Sequence, residues 1–363
     1  MEEITLGGGS LGDIPILRSV LEKSLQEIDT SMLLNYASPL GIFELRQEIA
    51  LMHKTNTENV MITSSAQQAL SIALNLIESS EFFDSRAISF KEPAYMGFLR
   101  LIKKKKVKKN ALVLVEEVIG LEDLGFLYLT SNFHNPTGES LSEVQKSLIA
   151  EKVINDQGLV IEDNPFDLLY FNKSQPSTIF ELAPENTIYI GSLSKILAPG
   201  LRVGYILASQ ENMEKLALEK EETDWFTSTL SQQMCVNALR QKYLDSLREY
   251  FKSKRDSALS SLERYFRDED VSWNIPEGGI FIRLQFKETF DCEHMISLAS
   301  ERHALFLERD GHHYMDGIAR SSTRINFAQN PDYVTEEGIR RLHECFKDIR
   351  TKDENQLLQT TIF

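Results

Sequence analysis

Little in this chain invites a membrane, a nucleic acid or a disulfide framework. No apolar run approaches the roughly 20 residues that a helix needs to cross a bilayer. Met1 is followed by glutamates, not by a basic and then apolar leader, so no signal peptide is read. Cysteine is scarce. The 3 present (Cys235, Cys292 and Cys345) are odd in number, lie far apart and form no CxxC pair. That argues against a disulfide scaffold or a structural zinc, calls for no metal, and points to a reducing compartment. Positive charge is short as well: 39 Lys and Arg stand against 54 Asp and Glu, a net charge of −15. A polyanionic partner is therefore not expected. The run Lys103–Lys106 with Lys108 and Lys109 is the exception. Nothing basic or aromatic reinforces it, so it reads as a solvated helix or edge face. No internal repeat or low-complexity linker is visible. These shortages predict a soluble, cytoplasmic protein with neither a membrane nor a nucleic acid as partner.

What is present fits a globular enzyme. The chain has 363 residues, 42% of them hydrophobic, enough for two domains or one large one. Strand-like runs at 59–63, 86–90, 111–115, 126–130, 158–162, 187–190 and 203–208 are interleaved with helical spacing at 67–77 and 142–154. That alternation predicts an α/β fold, a mostly parallel sheet between helices. A long, charged helical pattern covers 231–266. Short strands at 279–284 and 323–328, mixed with helices, predict a smaller α+β domain. The expected division is a large domain at 30–235 and a small one made of 1–29 and 236–363. Near the start, Gly7-Gly8-Gly9 suits backbone passing close to a ligand, and equally suits a plain loop.

Chemistry-bearing residues sit at strand-to-loop junctions, where ligands bind in open α/β sheets. Residues 192–205 read SLSKILAPGLRVGY. Pro199 and Gly200 break any helix begun at Ser192, so Lys195 lies on a loop between strands, where a working lysine is plausible. Ser64-Ser65-Ala66-Gln67 follows a strand and opens a helix. Free N–H groups and the helix dipole there favour a phosphate, although serine is also an ordinary N-cap. In NFHNPTG (132–138) Asn135 precedes a proline, so its amide projects from a rigid turn, and taken alone this is a β-turn. Asp163 ends an apolar strand, which is costly unless it pairs with a buried cation. Together they supply an amine, an acid, an amide and a phosphate cradle. Pyridoxal phosphate asks for that set: a lysine for its aldehyde, an acid to keep its ring nitrogen protonated, and donors for O3′ and the phosphate. Ser192, Ser194 and the planar fork of Arg202 suit the phosphate while Lys195 reaches the aldehyde.

In these residues the chain resembles the fold-type I, class I/II aminotransferases, closest to the aminoadipate and aromatic aminotransferase subgroup. The resemblance runs in order over nearly the whole chain: Tyr36, Gly41 and Leu45-Arg46; SSAQQAL at 64–70; Glu92-Pro93-Ala94-Tyr95; HNPTG; EDNP; the lysine segment; PEGGIF at 276–281; and Thr323-Arg324-Ile325-Asn326-Phe327. It implies a Schiff base on Lys195, which later shuttles the proton, and a pairing of Asp163 with the pyridine nitrogen. It further implies Asn135 at O3′ and beside the substrate, with Tyr95 stacked on the ring. The phosphate falls to Ser65, Ala66, Gln67, Ser192, Ser194 and Arg202. Arg324 would clamp the substrate α-carboxylate, with Gly9 also in the substrate site. Tyr36 would reach the phosphate of a neighbouring subunit, which implies a homodimer. The reaction implied is exchange of an amino group between an amino acid and a 2-oxo acid.

Two departures stand out. Ser65 replaces a usual glycine, with a small expected cost. Phe166 replaces a usual tyrosine whose hydroxyl bonds O3′; losing that donor is expected to raise the pKa of the lysine–cofactor imine. Phe166 also motivates an alternative reading, a pyridoxal phosphate-dependent lyase or cyclase of a specialised amino-acid pathway. Residues 221–229, EETDWFTST, match a region that contacts the substrate side chain in related enzymes. They hold no arginine for a second carboxylate. Trp225 and Phe226 suit an apolar pocket, whereas Glu221, Glu222 and Asp224 suit either a cationic side chain or a solvated helix end. His312 and His313 precede Arg324 in a loop that closes such sites. A non-enzymatic regulator is disfavoured, because the net charge opposes DNA and no DNA-binding domain is read in the chain.

Overall fold

A computed structural model of the protein describes residues 2–79, 86–112 and 114–360, with side chains to residue 350. The strands, in chain order, are β1 (Ile4–Thr5), β2 (Val60–Thr63), β3 (Ala87–Lys91), β4 (Lys108–Leu112), β5 (Phe126–Leu129) and β6 (Leu159–Asp163). Then follow β7 (Thr187–Ser192), β8 (Gly204–Leu207), β9 (Val271–Trp273), β10 (Phe281–Phe286), β11 (Leu305–Phe306) and β12 (Ser322–Asn326).

Apolar runs such as Val160–Ile161 and Ile188–Tyr189–Ile190 are buried throughout because successive side chains point into different cores. Ile161, Ile188 and Ile190 pack with Ala69, Leu70 and Ala73 of the helix Ala66–Glu78. Val160 packs instead with Ile149 and Val153 of the helix Glu143–Asn155. The result is a 7-stranded sheet between helices, in the order β2-β8-β7-β6-β5-β3-β4. Only β8 runs against its neighbours, antiparallel to both β2 and β7. The mostly parallel sheet predicted from the alternation is therefore what forms, and it leaves the C-terminal ends of β2, β3, β5, β6 and β7 on one side.

Two boundaries differ from expectation. The strand predicted at 111–115 lies earlier, at Lys108–Leu112, and a short helix begins at Val115; residue 113 is outside the described residues. The apolar pattern pointed to Ala111 onward, but the strand at the sheet edge is recruited by pairing with β3. Its exposed Lys108 and Lys109 suit an edge that must not pair further. The long helical pattern at 231–266 is two helices, Thr229–Leu239 and Leu244–Phe266, separated by a turn in which Lys242 adopts φ 53°.

A second, antiparallel sheet of β12-β10-β9 carries Arg324, paired in register with Arg283 of β10. β1 pairs in parallel with β11. Beyond β1, the Asn326 backbone N–H donates to the Leu6 carbonyl (2.7 Å) and its side chain to the Gly8 and Ser10 carbonyls (3.3 and 2.8 Å). These bonds lay the glycine-rich segment across the strand ends of the large sheet. No helix among the described residues is long and apolar enough to cross a membrane.

Candidate active site

The turns leaving β2, β3, β5, β6 and β7 converge with β12 and the N-terminal segment around a cavity of about 530 Å³. After β7, Ser192 caps a single turn, Leu193–Lys195, by accepting from the Ser194 N–H at 3.2 Å. A second turn, Pro199–Leu201, ends on Arg202 at φ 55°. The predicted break at Pro199 and Gly200 thus leaves Lys195 on an irregular segment facing inward. Its Nζ donates to the Gly9 carbonyl at 2.7 Å, and a Cβ on Gly9 would stand 3.2 Å from that nitrogen. Burial, then the positive charges of Arg324 and Arg202, push the Lys195 pKa down from 10.5 to about 8.

β6 ends in two acids that the pleat sends opposite ways. Glu162 faces the support: it accepts from Ser131 Oγ and from the Ile179 and Phe180 N–H groups (2.9 and 2.8 Å), and burial pushes its pKa up to about 7. Asp163 faces the cavity. Burial raises its pKa to about 6, opposed by the Tyr128 hydroxyl, which donates to Oδ2 at 2.8 Å.

After β2, Ser65 stands at φ 117° and ψ 162° and accepts from the Gln68 N–H at 3.4 Å as N-cap of the helix Ala66–Glu78. That backbone region is open to glycine and costs another residue of order 1–3 kcal/mol. The Ser65 departure is therefore not the cheap one expected. β8 approaches this turn so closely that a Cβ on Gly204 would lie 2.4 Å from the Ala66 nitrogen. Tyr95 donates to Gln67 Oε1 at 3.0 Å, which ties the β3 turn to the β2 turn.

At the other end Arg324 is 5% exposed. Its Nη1 donates to Asn135 Oδ1, its Nη2 lies 3.6 Å from Glu308 Oε2, and the Phe281 ring sits 4.1 Å beneath the guanidinium carbon. Its buried Nε has no hydrogen-bond partner among the described residues. Burial lowers its pKa to about 10, against the pull of Glu308 and Tyr95. A seam joins this end to the β3 turn. The Ala94 N–H donates to the His313 carbonyl (2.8 Å), His313 Nδ1 meets the Ala94 carbonyl (2.9 Å), and the Met315 N–H donates to Glu92 Oε1 (2.6 Å). His313 is buried, and burial first, then Arg324, lowers its pKa to about 4.

The cavity wall brings together Lys195, Asp163, Tyr95, Ser65, Ala66, Gln67, Asn135, Ser192, Ser194, Arg202, Arg324 and Gly9. Tyr36 is apart, 88% exposed, with its ring edge-to-face on Phe226 at 6.0 Å. Phe166 lines the wall, its ring centroid 5.6 Å from Lys195 Nζ. None of Glu221, Glu222, Asp224, Trp225 or Phe226 lines it; Asp224 instead accepts from Ser64 Oγ (2.8 Å) and Lys220. Sequence reasoning missed Tyr128, Thr130 and Glu308, and quoted Phe281 in PEGGIF without giving it a role. Tyr128 had a faint signal, the one polar-tipped side chain in an otherwise apolar buried strand. Glu308 had none, because nothing local ties it to Arg324.

This donor set fits pyridoxal phosphate. A buried amine of lowered pKa and a buried acid line one cavity, a helix N-terminus opens on the same space, and a buried guanidinium keeps an N–H unpartnered among the described residues. The chain belongs to the aminotransferase class I and II family, whose profile matches residues 6–342. Within it the chain falls in the aminoadipate and aromatic aminotransferase-like subgroup. It is 28% identical over 332 residues to the 2-aminoadipate transaminase of Thermus thermophilus, covering 87% of this chain and 82% of that one. The solved α-aminoadipate aminotransferase of Thermus thermophilus, complexed with N-(5′-phosphopyridoxyl)-L-leucine, superposes with a TM-score of 0.86. It is 26% identical, covering 96% of this chain and 93% of that one. The Pyrococcus horikoshii kynurenine aminotransferase, in complex with PMP, gives 0.84 at 25% identity, covering 96% and 91%. The chain is thus a pyridoxal phosphate-dependent aminotransferase, acting on an amino acid and a 2-oxo acid.

Proposed function

We propose that the residues of this cavity divide the aminotransferase reaction as follows. When bound, pyridoxal phosphate supplies an aldehyde for the amine and a ring that accepts electrons from the substrate carbon. Lys195 Nζ, with its pKa brought to about 8, takes the proton from the substrate Cα. The Asp163 carboxylate, oriented by the Tyr128 hydroxyl, holds a proton at the ring nitrogen. Ser192, Ser194, Arg202 and the N–H groups of Ser65, Ala66 and Gln67 bind the phosphate. Tyr95, on the same wall, would pack against the ring. Asn135 and Arg324, already hydrogen-bonded to each other, position O3′ and the α-carboxylate. Gly9 brings main chain to the substrate side and lets the amine pack against it.

We also propose a homodimer in which Tyr36 completes the phosphate site of the partner subunit. Leu34, Tyr36 and Trp225 are 85%, 88% and 56% exposed, which supports a covering partner. The division into 30–235 against 1–29 with 236–363 is kept as part of this reading; the β1–β11 pairing supports joining the first residues to the last part.

The observation that supports the assignment is a buried amine of lowered pKa and a buried acid on the wall of one cavity. Borohydride reduction of the holoenzyme and peptide mapping test it. The adduct is expected on Lys195; an adduct elsewhere overturns it. With an amino acid and no acceptor, one equivalent of oxo acid and of pyridoxamine phosphate is expected. Sustained turnover without acceptor would move the reaction to a lyase or cyclase.

A further inference from the structure

Glu308 stands where a purely anion-binding pocket would place no acid. Its carboxylate is 3.6 Å from Nη2 of Arg324, and its side chain is 17% exposed. Its main chain is fixed, because its carbonyl accepts from Thr323 Oγ1 at 3.1 Å and its nitrogen lies 2.9 Å from where a Cβ on Gly7 would be. It lines the same cavity as Lys195 and Asp163. Its other neighbour is His312, whose Nδ1 lies 3.2 Å from Glu308 Oε1 on a half-exposed ring.

The charges do not balance for a simple substrate. Arg324 carries one positive charge, and Glu308 already faces it. A substrate α-carboxylate arriving at the unpartnered Nε edge puts a second anion on the same guanidinium. His312 meets Glu308 from a half-exposed ring that does not line the cavity, so inside the cavity the pair of carboxylates calls for a further cation, since an ionised acid with little solvent is costly unless paired. We propose that Glu308 is a specificity-determining residue that selects amino acids bearing a cationic group on the side chain. This rests on the reading of Arg324 as the carboxylate clamp. The acids that sequence inspection offered for such a group, Glu221, Glu222 and Asp224, do not line the cavity, whereas Glu308 does. Arg100 and Lys104 also reach the wall, but both are exposed and keep their water, so an acidic side chain gains less from them than a cation gains from Glu308.

The test uses the holoenzyme and α-methyl amino acids, which lack the proton that transfer requires and so report binding apart from turnover. α-Methylornithine and α-methylnorleucine match in length and differ in charge. The wild type is expected to bind the ornithine analogue at least about tenfold more tightly, the scale of a charge-assisted hydrogen bond. Glu308→Gln keeps the shape and removes the charge: the ornithine analogue is expected to weaken about tenfold while the norleucine analogue holds or tightens. A shift of both by the same factor would make Glu308 only an internal competitor for Arg324 and overturn the proposal. So would a wild type that prefers the norleucine analogue or α-methylglutamate, a comparison that needs no variant to fold. Arg324→Lys separates the underlying reading. If it leaves both dissociation constants unchanged, the clamp assignment fails, whatever Glu308 does.

Discussion

At its lysine end the cavity is walled by short turns that leave the C-terminal ends of strands, so main-chain groups and small hydroxyls face the ligand. At its arginine end it is walled by the side chains of Asn135, Glu308 and Arg324, joined by the main chain of Gly9. The first wall is local: Ser192, Ser194 and Lys195 are neighbours, as are Ser65, Ala66 and Gln67. The second joins Gly9, Asn135, Glu308 and Arg324, which meet only when the chain is folded. The turns of the first wall depend on φ and ψ and, Lys195 apart, depend less on side chains. Side-chain walls depend on charge and reach.

Lys195→Ala should hurt most, because it removes the amine proposed to take the substrate proton. A loss of about 10⁴-fold in the rate of oxo-acid release from a bound amino acid is expected in single-turnover measurements; a loss under tenfold would mean that another base serves. Arg324→Lys asks the same of the opposite end. Charge is kept and the planar fork is lost, so kcat/KM should fall at least about tenfold with cofactor content unchanged. If it fell no further than twofold, the side-chain wall would be recognised by charge alone.

Tyr128→Phe acts one step behind the wall. The hydroxyl stabilises ionised Asp163 against a burial that holds its pKa near 6. Without it the pKa rises further, and activity that needs the carboxylate is lost at higher pH as pH falls. The acid limb of the kcat/KM profile is expected to move up, with about a tenfold loss near pH 6 and little change at pH 8. A limb that stays put would detach Asp163 from the profile. Ser65→Gly is the mildest. It frees a residue held at φ 117° and should raise unfolding stability by about 1 kcal/mol in denaturant titration, with kcat/KM nearly unchanged. A loss of activity here would mean that the Ser65 hydroxyl, rather than its main chain, serves the ligand.

This contrast also explains what the sequence made legible. The strands of the large sheet and the turns after them follow from apolar runs punctuated by small, polar or helix-breaking residues, so Lys195, Asp163 and the Ser65 turn could be located from neighbours in the chain. Arg324 was found through the residues flanking it, not through its partners. Glu308 has no local mark of function, and Phe281 and Tyr128 have only faint ones; what each does is set by its contact with Arg324 or Asp163. The strand at 108–112 was misplaced because an edge strand is chosen by its partner's free hydrogen bonds, which hydrophobic spacing does not encode. The cost at Ser65 was hidden because a dihedral angle leaves no trace in composition.

The seam between His313 and Ala94 fixes a spacing. On one side it holds the turn that presents Tyr95; on the other it leads through Asp310 and Ser322, whose hydroxyl donates to Asp310 Oδ1 at 2.5 Å, into the strand that presents Arg324. The aromatic face and the guanidinium fork are therefore gauged against each other by a short chain of hydrogen bonds, like the jaws of a calliper set to one width. Any motion that opened the cavity would have to carry both jaws together or break those bonds.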